Sequence, residues 1–278
     1  MNYLLYNPLA NNFKSKNTIT EIEKLHPDYN YNILDITKIS LDDLFSNINN
    51  SDIITILGGD GTLSIFASSY QKYKIPNSIY LYQGGSGNDF MNDISANKKE
   101  VLINKYLKNL PHVIVNDKDY YFINGIGYGI DGAVCEEADI LKEKKRKKIN
   151  YTIIALKLLL GKFKTYNAKV TVDGVTKSYK NVWLAAGMNG RFYGGGMMVA
   201  PEQDRLSNKL SLIVMFSKSR LRALWSFRLI FSGKLSKKKK LVNSFKGKKI
   251  EVQFDRPCAL QIDGEVIKNV TKYVAYYE

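Results

Sequence analysis

The sequence predicts an α/β protein: an N-terminal parallel-sheet domain over residues 1–110 and a C-terminal β-rich, sandwich-like domain over residues 111–278. Three observations carry this expectation. Short apolar runs alternate with amphipathic ones through the first stretch, the order of βα units laid into a parallel sheet. Two of those runs, Asp52–Leu57 and Ser78–Tyr82, end in glycine loops. After Pro111 the pattern changes to paired apolar runs around Asp-Gly, the usual two-residue hairpin turn.

The elements follow in order. Tyr3–Tyr6 reads as a strand ended by Asn7-Pro8, Asn17–Leu25 as a helix, and Tyr31–Ile36 as a second strand. Ser40 caps a helix over Leu41–Ile48, with Asp42 and Asp43 in its first turn. Asp52–Leu57 is a buried strand running into Gly58-Gly59-Asp60-Gly61, and Thr62–Tyr73 is the next helix. Ser78–Tyr82 ends in the loop Gly84–Asp89, and Asn97–Leu110 reads as a helix closed by Pro111. In the second part, His112–Asn116 and Tyr120–Asn124 flank an Asp117-Lys118-Asp119 turn, and Ala168–Val172 and Val175–Tyr179 flank Asp173-Gly174. Val182–Gly187, Lys209–Phe216, Ile250–Phe254, Ala259–Ile262, Val266–Ile267 and Tyr273–Tyr277 are further strands, the last open to rejoining the first domain. Helices are expected over Gly132–Lys148, Asn150–Lys162 and Arg220–Ser232.

Composition narrows the function classes. Two cysteines, Cys135 and Cys258, exclude a disulfide scaffold and fit a reducing cytosol, and without a Cys/His cluster a zinc site is not expected. The start Met1–Asn12 lacks the cationic and apolar regions of a signal peptide. The most apolar run, Ile153–Leu160, is far short of the roughly 20 residues a spanning helix needs. The chain therefore reads as cytoplasmic, soluble or bound at a membrane surface. The net charge of +15 is concentrated. Arg205–Lys249 holds 14 Lys or Arg and no acid, and Lys142–Lys148 holds 6 cations and 1 acid. A localised basic face suits nucleic acid or an anionic membrane, or is simply solvated. Nucleic acid rests on charge alone, since the chain has no RNP pattern, zinc finger or helix-turn-helix signal.

The chemistry-bearing motifs are glycine loops. Gly58-Gly59-Asp60-Gly61-Thr62 stands at a strand-to-helix junction, where adjacent glycines admit a bulky anion to the main chain and the helix N-terminus points N–H groups at it. Asp60 puts a carboxylate there to handle a metal or a hydroxyl proton; the plainer alternative is a tight turn with a capping Asp. Gly84–Asp89, with the Ser86 hydroxyl, follows the next strand at the same carboxyl edge, where ligands bind in such sheets. Neither loop fits GxxxxGK[ST] or GxGxxG, which disfavours P-loop NTPases and Rossmann dehydrogenases. Asp173-Gly174 reads as a turn alone, whereas Asp263-Gly264 is followed by Glu265.

Six motifs in order then carry a resemblance: Asn7-Pro8, GGDGT at 58–62, GSGND at 85–89, NGIGYGID at 124–131, GGG at 194–196 followed by Ala200-Pro201, and DGE at 263–265. The set resembles the diacylglycerol kinase catalytic-domain family, which includes bacterial soluble diacylglycerol kinases and sphingosine kinases. GGDGT alone is shared with NAD kinases. The resemblance implies a two-domain, NAD kinase/diacylglycerol kinase-like enzyme that uses ATP and Mg2+. It places nucleotide binding on Asn7, Pro8, Leu9, Ala10 and Asn11, on Thr37, on Gly58, Gly59, Asp60, Gly61, Thr62, Leu63 and Ser64, and on Ser86, where Thr is more usual. It makes Glu265 the catalytic base, with Asp60 as its partner or substitute, and puts Asn124, Asp131 and Asp263 on the substrate side. One departure stands out. The family's Asp-Gly-x-Leu, whose Asp binds magnesium, is here Ser207-Asn208-Lys209-Leu210. The carbonyls of Leu210 and Leu212 remain as metal ligands, and Asp204 substitutes only if the loop is rearranged.

On this reading the chain phosphorylates the primary hydroxyl of a membrane lipid, diacylglycerol first. The alternatives are an NAD kinase-like enzyme or a catalytically impaired, ATP-binding regulatory relative. The partner is lipid in an anionic membrane surface, not nucleic acid; a homodimer is compatible with the family. Ser219–Gly233, with Trp225 and three arginines among its aliphatic residues and Lys237–Lys240 close behind, reads as an interfacial helix. The competing reading makes Leu221, Leu224 and Leu229 a core face.

Overall fold

The computed structural model describes residues 1–8, 15–85, 87–95, 97–144, 150–161 and 163–278. The chain forms two compact units, Met1–Leu110 and Pro111–Glu278.

The first unit contains β1 (Asn2–Tyr6), α1 (Ser15–Leu25), β2 (Tyr31–Asp35), α2 (Leu41–Asn47), β3 (Ile53–Gly58), α3 (Asp60–Tyr73), β4 (Ser78–Gln83), α4 (Asp89–Ile94), β5 (Glu100–Leu102) and α5 (Asn104–Leu107). The sheet order is β2-β1-β3-β4-β5, and every pairing is parallel except that of β5. In β3 the run Ile54–Gly58 is buried throughout, as expected of a strand covered on both faces. Ser40 caps α2 through its side chain, which accepts from the Asp43 amide. α3 buries Leu63, Phe66, Ala67 and Tyr70, the three-and-four spacing of one helical face. Phe45 of α2 packs edge-on against Phe66.

The helix expected over Asn97–Leu110 is a correction. Glu100–Leu102 adds an antiparallel edge to β4, and only Asn104–Leu107 is helical. The Asn104 side chain accepts from Ile79 N–H and donates to Asn77 C=O, so the segment is tied to the sheet instead of continuing as a helix.

The second unit contains β6 (His112–Val115), β7 (Lys118–Tyr121), β8 (Gly125–Tyr128), α6 (Ile130–Glu143), α7 (Tyr151–Leu160), β9 (Tyr166–Val172), β10 (Val175–Met188), β11 (Phe192–Tyr193), β12 (Met197–Met198), β13 (Leu210–Phe216), α8 (Arg220–Ile230), β14 (Val242–Gly247), β15 (Lys249–Ile262) and β16 (Glu265–Tyr276). A short 3-10 turn, Lys234–Lys237, follows α8. The main sheet has nine strands, and β10 and β15 are bridged twice, by β9 along one half and β8 along the other. The last strand pairs with β15 and β6 of its own unit.

Three expected strand pairs are single long strands. β10, β15 and β16 run through the gaps that separated the apolar runs in the sequence. Asn181 and Asn269 lie at positive φ within them, and the register shifts beside Asn181 and between Gln253 and Cys258. These are bulges that bend a strand without ending it. The β6–β7 turn is also tighter than expected: Asn116 and Asp117 make it alone, both at positive φ.

β13 shows how two cores share one sheet. Leu210, Leu212 and Val214 face one cluster; Ile213 and Met215 face the other, under α6, α7 and α8. Both faces are buried, so its sequence is apolar apart from Ser211, whose hydroxyl donates to Gln203 Oε1.

Candidate functional site

In the first unit the carboxyl ends of the parallel strands form a row. The order β2-β1-β3-β4 brings Thr37, Asn7, Gly59 and Gly84 to one edge, with Tyr6 registered against both Asp35 and Leu57. Strand order reverses between β1 and β3, because β1 leads outward to β2 and β3 to β4. Helices diverge at such a point and leave a crevice outside the strand ends. Asn7-Pro8 and Gly59-Asp60-Gly61 flank it. Leu9, Ala10, Asn11 and Ser86 lie outside the described residues.

The two glycine loops are in main-chain contact. A Cβ on Gly59 would run into the Gly87 carbonyl oxygen, and one on Gly85 would come 2.5 Å from the Gly59 Cα. Asp60 ties the loops further. Its amide donates to Gly87 C=O at 2.9 Å, and its carboxylate accepts from the Asp89 and Phe90 amides at 2.8 and 2.9 Å. Gly61 differs: a Cβ there would meet nothing within 4 Å. It lies exposed in the first turn of α3, where the helix supplies no carbonyl for the amides of Gly61 and Thr62. Nothing in the described protein requires glycine at 61, whereas an anion approaching those amides would.

The neighbouring expected residues have mixed surroundings. Leu63 is core, and Thr62 is buried with its side chain against Gly58. Ser64 is half-buried on α3. Thr37 is exposed, and its amide and hydroxyl both donate to Asp35 Oδ1, a local turn that fixes the end of β2.

In the second unit Asp263-Gly264 is the two-residue turn between β15 and β16, with both residues at positive φ. The Asp263 carboxylate accepts from the amides of Ile123, Asn124 and Gly125 at 2.5, 2.8 and 3.0 Å. It anchors the chain entering β8. Glu265 follows at the exposed start of β16.

Asp131, in the first turn of α6, links the hairpin to two other elements. Its Oδ2 accepts from Gln261 Nε2 at 2.9 Å, Gln261 Oε1 accepts from Gly264 N–H at 2.7 Å, and the Tyr193 hydroxyl bonds the same carboxylate. A Cβ on Gly127 would occupy the place of that carboxylate. Burial pushes the Asp131 carboxyl up to about 6, against the bonds from Gln261 and Tyr193. The folded chain therefore holds this proton more tightly than the unfolded chain does, and stability falls as pH rises from about 4 to about 6. Asp131→Asn is expected to raise the melting temperature at pH 7.5 and to leave it unchanged at pH 3.5. Parallel melting-temperature profiles for the two proteins would contradict this.

Asn124 is buried in a polar network that the motifs did not reveal. Its Oδ1 and the Ile123 carbonyl accept from the buried Arg205 guanidinium, and Asn189 is bonded to Ile123 C=O, Gln203 and the Tyr277 hydroxyl. Tyr193, Gln261, Asn189 and Tyr277 carried no sequence signal: apart from the Gly264 amide near Gln261, their partners are 14 to 130 residues away.

Residues 2–114 match the family described as "Diacylglycerol kinase catalytic domain", and residues 124–276 match the "YegS C-terminal NAD kinase beta sandwich-like domain". The chain belongs to the diacylglycerol kinase catalytic-domain family. It is 25% identical over 234 residues to "Putative lipid kinase YtlR" of Bacillus subtilis (strain 168), covering 77% of this chain and 74% of that one. It is 25% identical over 231 residues to a "Putative lipid kinase" of Staphylococcus epidermidis (strain ATCC 12228 / FDA PCI 1200), covering 77% and 70%. Among solved structures, "Crystal structure of a putative diacylglycerol kinase from Bacillus anthracis str. Sterne" shares the fold, with a TM-score of 0.72 at 19% identity over 100% of this chain and 92% of that one.

Within this family the departure at Ser207 has structural content. Ser207 Oγ donates to Asp204 C=O at 2.6 Å, and the Asp204 carboxylate accepts from Leu206 N–H. Leu212 is paired on both sides, with Gly187 of β10 and Phe245 of β14, so its carbonyl belongs to the ladder. Leu210, also buried, is paired with Gly247. Among the described residues no group of three His, Cys, Asp or Glu side chains gathers to hold a metal ion. Of the positions considered for magnesium, Leu212 lies within the ladder, Ser207 is turned toward Asp204 C=O and Leu210 stands at the start of β13. The cysteines are inert packing groups: burial pushes Cys258 up to about 12 and raises Cys135 as well.

Proposed function

We propose that this chain transfers the γ-phosphoryl group of ATP to the hydroxyl of a membrane lipid, diacylglycerol being the first candidate. The observation that carries the proposal is the open main chain at Gly61, beside the first-turn amides of Gly61 and Thr62, at the switch point of a parallel sheet. Backbone N–H groups and the helix N-terminus are the groups that hold a polyphosphate. Asp60, with its two oxygens on the Asp89 and Phe90 amides, is a positioning residue that shapes this loop.

The residue assigned as base is Glu265, at the exposed start of β16. The lipid hydroxyl oxygen bonds to the γ-phosphorus while the bond to the bridging oxygen breaks, and ADP leaves with that electron pair. The hydroxyl proton passes to the Glu265 carboxylate. Phosphoryl transfer of this kind is chiefly positioning and charge stabilisation, and a carboxylate suffices as base. Asp263 and the Asp131–Gln261 link keep the hairpin that carries Glu265 in one conformation. No step is assigned to a protein-held metal ion.

The test is γ-labelled ATP with a panel of acceptors: diacylglycerol, a sphingoid base and a polyprenol in anionic vesicles, and NAD in solution. Label in a lipid and none in NAD is the expected result. Label in NAD alone would replace the proposal with an NAD kinase-like activity. ATP binding without transfer to any acceptor would replace it with a regulatory role.

A further inference from the structure

The basic segment Arg205–Lys249 does not form one surface. Arg205 is buried in the Asn124 network, and Arg220 turns inward, donating to the Leu159 and Phe163 carbonyls at 3.2 and 2.8 Å. Those bonds join the C-terminal end of α7 to the N-terminal end of α8.

The junction is flanked by exposed apolar side chains. Leu221 is 75% exposed and Leu160 63%, with Trp225 at 51% and Phe231 at 44%. On α8, Leu221, Trp225 and Arg228 lie at i, i+4 and i+7, one outward stripe, while Ala223, Ser226 and Ile230 are buried opposite. Leu224, Phe227 and Leu229 pack partly into the core. The two readings of this segment thus divide by residue: Leu224 and Leu229 are core, and Leu221 and Trp225 face outward. On α7, Lys157 and Leu160 share the outward face.

The charge around these side chains is predominantly positive. Neither helix carries an acid, and Lys238 lies 5.2 Å over the Trp225 ring. Beside Arg220 opens a pocket of about 350 Å³ whose charged lining is Lys164, Lys218, Arg220 and Arg256. One acid, Asp255, stands beside this lining, paired with Arg256 at 3.4 Å and bonded to Asn167; the acids of α6 lie toward the other end of α7, where Lys142 contacts Tyr151.

We infer that this α7–α8 face docks on an anionic phospholipid bilayer, with Leu160, Leu221, Trp225 and Phe231 entering the interface and the surrounding cations meeting lipid phosphates. Exposed aromatic and aliphatic side chains ringed by cations match the two layers of such a surface: an acyl boundary below charged headgroups. Cations outnumber acids on this face and Asp255 is already paired with Arg256, so its net charge suits anionic headgroups better than the mixed charges of a protein partner. The inference deepens the lipid-kinase reading by naming where the substrate's surface is met.

The chain supplies its own probe. It has two tryptophans; Trp183 is buried and Trp225 exposed. With vesicles of phosphatidylglycerol and phosphatidylcholine, emission should shift to the blue and be quenched by acyl-brominated lipid, and Trp225→Phe should remove both changes. Leu221→Ser/Trp225→Ser should bind about tenfold more weakly or worse. Its melting temperature should match the wild type, because both side chains are exposed. Pure phosphatidylcholine should bind poorly. Vesicle binding with an unmoved Trp225, or no vesicle binding, would overturn the inference. So would a dimer in sedimentation equilibrium that the double variant abolishes. Transfer to a short-chain diacylglycerol dispersed in detergent separates the two claims. Transfer without vesicle docking removes this face alone, and docking without transfer removes the kinase reading alone.

Discussion

Gly59→Ala should disable the first unit, whereas Gly61→Ala should leave it folded and weaken its grip on ATP. Both glycines belong to one five-residue motif, but their surroundings differ. At Gly59 the new methyl meets the Gly87 carbonyl, a main-chain atom held by the Asp60 amide. Neither loop can yield without breaking the other, so the expected loss is about 3 kcal/mol, the upper range for overpacking. At Gly61 the methyl meets no protein atom. Ala is the better helix former, so stability should rise by about 0.5–1 kcal/mol. The same methyl stands between the first-turn amides and an approaching phosphate, and ATP affinity should fall about tenfold, some 1.4 kcal/mol. Urea unfolding followed by ATP titration calorimetry measures both quantities. Unchanged ATP binding in Gly61→Ala would remove the phosphate-binding role of the loop.

Glu265→Gln should lower turnover by about 10²–10⁴-fold, the range for removing a general base. The KM for ATP should hold, because the change is confined to the acceptor's proton. Glu265 is exposed at the start of β16, so the melting temperature should not move. This separates it from Asp263, two residues earlier, whose removal strands three amide donors. An active Glu265→Gln variant would mean that Glu265 is not the base.

The contrast between these residues shows what was legible in the chain. The parallel sheet was readable because its strands are short apolar runs closed by glycine loops, and Ser40 announced α2 through a local bond. The motif residues were readable as positions, but their tasks were not. Asp60, Asp131 and Asp263 are alike in the sequence, each an acid beside glycine. In the fold Asp60 clamps two loops, Asp131 is a half-buried acid linked to Gln261, and Asp263 fixes the entry to β8. Those tasks depend on partners up to 140 residues away, which spacing does not reveal. The long strands were missed for a similar reason. Asn181, Asn269 and Pro257 are residue types that end strands, and only pairing on the neighbouring strands carries the chain through them. The charge concentration was correctly located along the chain, but two of its arginines are used internally.

The most direct measurement counts both products of one reaction. Wild-type protein and Glu265→Gln are each given γ-labelled ATP and diacylglycerol in phosphatidylglycerol vesicles, and ADP and labelled lipid are quantified together. A lipid kinase with Glu265 as its base yields one ADP per labelled phosphatidic acid in the wild type and almost neither product in the variant. ADP with free phosphate and no labelled lipid, or equal yields from both proteins, would contradict the account.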